Sequence, residues 1–460
     1  MPLRHSVFPG SQSASSPKLG RDSFIVLKIG KRISVNEKVA ISPGIEMKIQ
    51  DDTIHHFDDS FRFIIAMARA YLRYGGYSFE TDVSLTRIIK ALGLNGEINA
   101  TPNSIEIAVW LNDESRQTIY MAITRDTDYN LAKLAQVGNL SDQVVGKEVL
   151  PVQGLERLKE IDRAPVVYGN LMNPLAFVLC GAGFAVVIEM SWLNVFLGGV
   201  FGLISFGVTL FASHNSRMEI IMEILAAATV VVLASGLAVL YPGIIPLGVA
   251  VCAVVWFIPG FGLTIAPREI IYGNTLSGII HLTNALVVAL KLLLGALIGL
   301  SVARSLFPAP IPESLPGVAP VWAWVFIPVL VIGLAFLFRV MPQNLGLVLA
   351  GGWLVWGGVQ MGNVFGYWQG TFLGAVILTV YAKLASARFR IPSATILLPV
   401  IMILVPGYAF LQALYIANEQ GPIVGLSAGL RVFIIIGAII AGIFVGDAIG
   451  SSNVVKKSMR

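Results

Sequence analysis

The ionisable residues of this chain crowd into its first third. Of 460 residues, 32 are Lys or Arg and 27 are Asp or Glu, and 20 of each group precede residue 166. The other 12 basic and 7 acidic side chains are scattered over the last 295 positions. A bilayer crossing needs about 20 mostly apolar residues, and a charge inside it is costly. A long tract so poor in charge therefore folds as a polytopic membrane domain behind a soluble one. The formal net charge of +5 arises wholly in the membrane part. The balanced soluble part gives no support for nucleic acid as a partner. Cys180 and Cys252 both sit in apolar segments. They read as small hydrophobes rather than as a disulfide or a metal site, and no cofactor motif is present.

Four segments follow from this: a flexible leader over 1–50, an α+β domain over 51–165, and two membrane repeats over 166–305 and 306–460. The leader is polar and Ser/Pro-rich, with a short strand expected near Phe24–Leu27. A helix is expected to start at the N-cap residues Asp58, Asp59 and Ser60 and to end at Gly75-Gly76. A second covers ETDVSLTRIIKALGL and stops at Asn95-Gly96. SIEIAVWL and TIYMAITR read as a hairpin, and two further helices follow. His55 and His56, among Asp51, Asp52, Asp58 and Asp59, are metal-ligand types without ligand spacing, so a solvated helix entry is the plainer reading. Arg125, Asp126 and Asp128 suit an ion site or an ordinary capped turn.

Ten spans are expected, at 170–189, 192–212, 219–240, 243–264, 278–302, 319–339, 343–363, 367–386, 394–416 and 427–449. Lys and Arg flank alternate loops, around Arg163, Arg217, Arg268, Arg339, Arg388 and Lys456; the opposite loops hold only Arg304. By the positive-inside rule both termini and the soluble domain are cytoplasmic.

Two Pro-Gly pairs interrupt the apolar tract, at Pro259-Gly260 and, 147 residues later, at Pro406-Gly407. At the same offset Ala266 meets Ala413, and Gly278, Gly295 and Gly299 meet Gly425, Gly442 and Gly446. Five spans per half force the second copy to insert upside down. The expected fold is thus membrane all-α, ten helices in two inverted five-helix repeats with broken Pro-Gly helices. Paired helix breaks in inverted halves point to a transporter's binding site.

Several stretches carry a family likeness: YGGYSFETDVSLTRIIKALGL, TPNSIEIAVWL, ITRDTDYNLAKLAQVGNL, FIPGFGLTIAPREIIYGNTLSGIIHLTNALVVALKLLLGALIG and RFRIPSATILLPVIMILVPGYAFLQALYIANEQG. In this order they resemble the bacterial threonine/serine exporter family over about residues 57–450. The resemblance implies a cytoplasmic domain fused to ten spans in the inner membrane, exporting small hydroxylated amino acids in exchange for protons. Some relatives are assigned dicarboxylates. A channel or a membrane-anchored enzyme is the rival class, and a homo-oligomer stays open.

Intramembrane polar residues are the site candidates. Pro259, Gly260, Gly278, Pro406, Gly407, Gln360, Asn363 and Asn284 are placed on the substrate path, with His281 near Asn284. Glu269 leads for proton coupling, against a solvated pair with Arg268; family members often have an acidic residue at its place and at that of Asp447. Asp447 reads equally as a residue flanking the span. Lys291, the deepest charge, would bind a substrate carboxylate or pair with Glu223. Gln360 and Asn363 serve a ligand or act as glue between helices.

Overall fold

The structure, a computed structural model, describes residues 25–29, 43–111, 117–123, 129–169, 171–308, 315–404, 409, 413, 416 and 420–458. The leader outside 25–29 and 43–50, the Arg125–Asp128 turn and the second Pro-Gly pair lie outside these residues.

The soluble part has four strands, β1 (Ile25–Ile29), β2 (Asn95–Ala100), β3 (Ser104–Trp110) and β4 (Gln117–Ile123), in the antiparallel order β1-β4-β3-β2. The hairpin over β3 and β4 has Ile107 opposite Tyr120. Ile105, Ile107 and Val109 are fully buried while Glu106 faces out, the alternation of a sheet with one covered face. The polar segment NGEINA, which reads as a helix stop, is instead the edge strand β2 paired to β3. Four helices accompany the sheet: α1 (Pro43–Arg73), α2 (Ser78–Ala91), α3 (Leu131–Val145) and α4 (Pro151–Arg163). α1 begins well before the expected caps at Asp58–Ser60, so those residues and His55-His56 lie within it. From Phe57 on, its buried face includes Phe63, Ile64 and Met67. α1 and α2 are joined at Gly75, whose φ of +82° suits glycine, and a Cβ there would lie 2.5 Å from the Tyr129 ring.

The membrane part contains α5 (Met172–Val187), α6 (Trp192–Ala212), the short α7 (Ser216–Ile220), α8 (Met222–Leu240), α9 (Pro246–Ala253), α10 (Gly260–Ile271), α11 (Thr275–Leu306), α12 (Ala323–Leu337), α13 (Leu345–Asn363), α14 (Tyr367–Phe389), α15 (Ala394–Ile401) and α16 (Pro422–Ser458). Among the described residues seven helices are long and apolar enough to cross a membrane; α5 is apolar but shorter. Where single spans are expected at 243–264 and from 394, the chain forms shorter pieces. α9 ends at Ala253, a 3-10 turn follows over Val255–Phe257, and α10 starts after Pro259. Proline supplies no N–H and fixes φ, so the helix ends before it and a new one starts behind it.

Close packing recurs between the halves. A methyl on Gly295 of α11 would lie 2.5 Å from the Ile224 carbonyl oxygen on α8, and one on Gly442 of α16 would lie 2.5 Å from the Phe372 carbonyl oxygen on α14. One turn further, Gly299 faces Val231 and Gly446 faces Thr379. Small residues let these helix backbones meet where lipid gives no hydrophobic drive.

Candidate functional site

The break at Pro259 opens onto a cavity of about 390 Å³ between the membrane helices and the soluble domain. Its membrane wall carries Trp256, Pro259 and Gly262 from the broken segment, Glu223 from α8, and His281 and Asn284 from α11. Its other wall is soluble: the Gly75–Tyr77 turn, Asn103 and Tyr129. His281 and Asn284 are three residues apart, so one helical face presents both. Glu223 is held by Lys291, whose Nζ lies 3.2 Å from Oε2. The two side chains are 13% and 25% exposed, so the deepest lysine meets a carboxylate at the chamber wall rather than standing alone in apolar surroundings. Glu223 is the only formally charged residue lining this cavity among the described residues.

A second polar cluster lies beside it, at the C-terminal end of α10. Arg268 and Glu269 are neighbours in sequence but their side chains part. Arg268 turns to Asp447 of α16, Nη2 to Oδ2 at 3.4 Å, and its guanidinium stands near the Tyr77 and Tyr272 rings. Asp447 also meets Lys383 of α14 at 3.0 Å and accepts a 2.8 Å hydrogen bond from the Tyr272 hydroxyl. Asp447 is 4% exposed, so it is a buried member of an ion network, not a flanking residue in water.

Glu269, 2% exposed, reaches the soluble domain instead. Its carboxylate accepts from the backbone N–H groups of Ser78 and Phe79 at the start of α2. The first amides of a helix have no partner inside it, and Tyr77 at the N-cap makes no side-chain cap bond. A carboxylate from the membrane half thus caps a helix of the soluble half. Asn274 Nδ2 bridges Glu269 Oε2 at 3.2 Å and Asp82 Oδ2 at 3.3 Å, and Ser78 and Ser277 hydroxyls meet at 2.8 Å. The start of α3 also docks on the membrane half, with Leu131 and Ala132 N–H donating to the Phe338 and Arg339 backbone carbonyls at 3.0 Å each. Burial pushes the Asp82 carboxyl up to about 6, against the hydrogen bonds it accepts from Asn274 and the Ala100 amide. Burial likewise holds the Tyr129 hydroxyl up at about 12, and that of Tyr77 well above its ordinary range.

The structure therefore gathers Pro259, Glu223 and Asn284 at one chamber, with His281, and puts Lys291 behind its wall. Gly260 opens α10 behind Pro259. Gly278 packs α11 on α10, where a Cβ would lie 2.5 Å from the Ala266 carbonyl oxygen. Glu269, Arg268 and Asp447 form the adjoining network. Gln360 and Asn363 are not brought to the chamber; they stand at the far end of α13, beside the turn into α14. Pro406 and Gly407 lie outside the described residues. The soluble contributors Tyr77, Asp82, Asn103 and Tyr129 carry no local signal for this role. The one available hint is YGGY, a flexible turn between aromatic residues.

These features define a polytopic membrane protein with a soluble domain seated over a polar chamber at a broken helix. The chain belongs to the threonine/serine exporter family. A family model described as "Putative threonine/serine exporter" matches residues 62–303, and a second, "Threonine/Serine exporter, ThrE", matches residues 323–449. No curated protein and no solved structure matches the chain. By its description, the family supports an amino-acid exporter.

Proposed function

We propose that this protein exports threonine and serine from the cytoplasm through the chamber at Pro259, by alternating access in exchange for protons. The observation that carries the reading is the convergence of the helix break with Glu223, His281 and Asn284 in one cavity, in a chain of this family. An amino acid is a zwitterion and needs both an anion site and a cation site. The first turn of α10 reaches the cavity at Pro259 and Gly262, and helix starts favour carboxylates. Glu223 faces the ammonium group, and Asn284 offers hydrogen bonds to a side-chain hydroxyl. A dicarboxylate fits less well, because no cation lines the cavity among the described residues and Lys291, behind its wall, is already paired with Glu223.

The membrane part is read as ten crossings in two inverted halves. Supporting this, α8 with α11 and α14 with α16 share the same glycine contacts. An inner-membrane, cytoplasm-in orientation is supported by the turns that the soluble domain touches. Glu269–Ser277 and Ser393 belong to loops that the positive-inside rule assigns to the cytoplasm, and Phe338–Arg339 end the span that leads into another. For the proton, Glu269 is the better carboxylate: its hydrogen-bond partners are neutral donors, whereas Asp447 is pinned by two cations.

The test is flux in proteoliposomes. A threonine or serine gradient is expected to drive proton movement of opposite direction, and Glu269→Gln to abolish that coupling. Absence of proton flux in the unaltered protein removes the antiport mechanism, and an unchanged rate in the variant removes Glu269 from it.

A further inference from the structure

The soluble domain is attached to the membrane helices at two ends of different chemistry. At the α3 end the bonds run backbone to backbone. Leu131 and Ala132 amides meet the Phe338 and Arg339 carbonyls just past the end of α12, so the unpaired start of one helix is bonded to the turn that closes another. Tyr129 packs edge-on against Phe338, ring centroids 6.2 Å apart, and Phe338 against Trp256 at 5.1 Å. Just past the soluble domain, the Tyr168 hydroxyl bonds the Val340 carbonyl at 2.7 Å. No carboxylate takes part in these contacts.

The α2 end is held by carboxylates. On the first half, Glu269 caps α2, and Asp82 and Glu269 share the one amide of Asn274; Glu80 accepts a 2.8 Å bond from the Ser393 hydroxyl of the second half, which need not open when α2 leaves α10 and α11. Gathering negative groups away from water opposes their ionisation, and nearby like charges add to the opposition. Phe79 also stacks on Tyr272, ring centroids 4.5 Å apart, and Arg268 stands over the Tyr77 ring, so the carboxylates are the part of this end that a change of protonation loosens. It is also the end that carries the Gly75–Tyr77 turn, which lines the chamber.

We infer that the soluble domain is a two-ended clamp over the chamber, fixed to α12 through α3 and releasable from α10 and α11 through α2. Release at α2 draws the Gly75–Tyr77 wall off the chamber while the domain stays anchored on the second half. Alternating access needs the two halves to move against each other, and a domain bonded to both resists that motion until one bond set opens. The inference rests on the transporter reading above.

Two measurements test it. The first needs no substrate: hydrogen exchange of the unaltered protein in lipid nanodiscs, resolved to single amides. Ser78 and Phe79 amides are expected to exchange at least about tenfold faster than Leu131 and Ala132 amides. Equal rates, or faster exchange at α3, overturn the clamp. The second is a reversible lock. The Ser78 and Ser277 oxygens lie 2.8 Å apart, so Ser78→Cys with Ser277→Cys places two sulfurs for a disulfide. Oxidation is expected to lower threonine uptake into proteoliposomes at least about tenfold, with recovery on reduction. Equal uptake in the oxidised and reduced forms overturns release at α2. Should the unaltered protein move neither threonine nor serine while the exchange asymmetry holds, the exporter reading fails and the two-ended attachment stands.

Discussion

Replacing Asp447 with Ala should be among the most damaging single changes in the membrane domain. Its carboxylate is the shared counter-ion of Arg268, at 3.4 Å, and Lys383, at 3.0 Å, and their side chains are only 13% and 23% exposed. Removal leaves two cations facing each other with little water to screen them. Breaking a buried pair by deleting one partner costs about 3–5 kcal/mol, because the remaining charge stays buried without compensation. Loss of the 2.8 Å Tyr272 bond adds about 1 kcal/mol. Asp447→Asn keeps a hydrogen-bond acceptor for Tyr272, so it should be milder than Ala by about that last amount. Adding Lys383→Met to Asp447→Asn removes one of the two stranded cations and should recover part of the loss. Thermal unfolding in nanodiscs, followed by tryptophan fluorescence, reads all three. If Asp447→Ala unfolds within about 0.5 kcal/mol of the unaltered protein, the buried-network account is wrong.

Docking of α2 should depend on pH through Asp82. Its docked value, about 6, is above the free value of 3.8, so the docked state takes up a proton. That contribution is complete below about pH 4 and is lost as pH rises through about 6; amide exchange at Ser78–Phe79 should speed up over this window, and Asp82→Asn should flatten the profile. Lys291→Met strands Glu223 at the chamber wall and should destabilise by about 1–3 kcal/mol, while Lys291→Met with Glu223→Gln should recover most of it in the same unfolding assay. Gly442→Leu drives a side chain into the Phe372 carbonyl and should reduce the monodisperse fraction in size-exclusion chromatography; Gly437→Leu on the same helix, with nothing within 4 Å, should not.

The membrane site was more legible in the sequence than the domain interface. A lysine deep in apolar sequence needs a carboxylate or water, so Lys291 points to Glu223 without a structure. Pro259 followed by Gly260 announces a broken helix, because proline removes a backbone donor and glycine relaxes the conformation beside it. His281 and Asn284 follow from helical spacing once the break is known. The partition of Arg268 and Glu269 was not legible, since adjacent residues on a helix diverge by about 100° and sequence does not say what each face meets. Glu269 bonds the chain nearly two hundred positions earlier, at an unremarkable Tyr-Ser-Phe, and no periodicity encodes such a contact. β2 was hidden for a different reason. NGEINA has one β-branched residue, Ile98, among residues poor in strand propensity, and is held as an edge by its pairing to β3. Gln360 and Asn363 carry the same polar signal as Asn284, and only the packing separates the residues at the chamber from those at the far end of α13.

The most direct test of the central claim is counterflow of labelled threonine in proteoliposomes preloaded with single unlabelled compounds. Threonine and serine inside should drive uptake, dicarboxylates should not, and Asn284→Ala should weaken the response while leaving the protein folded. Uptake driven by dicarboxylates but not by threonine or serine, or no counterflow at all, would contradict the account.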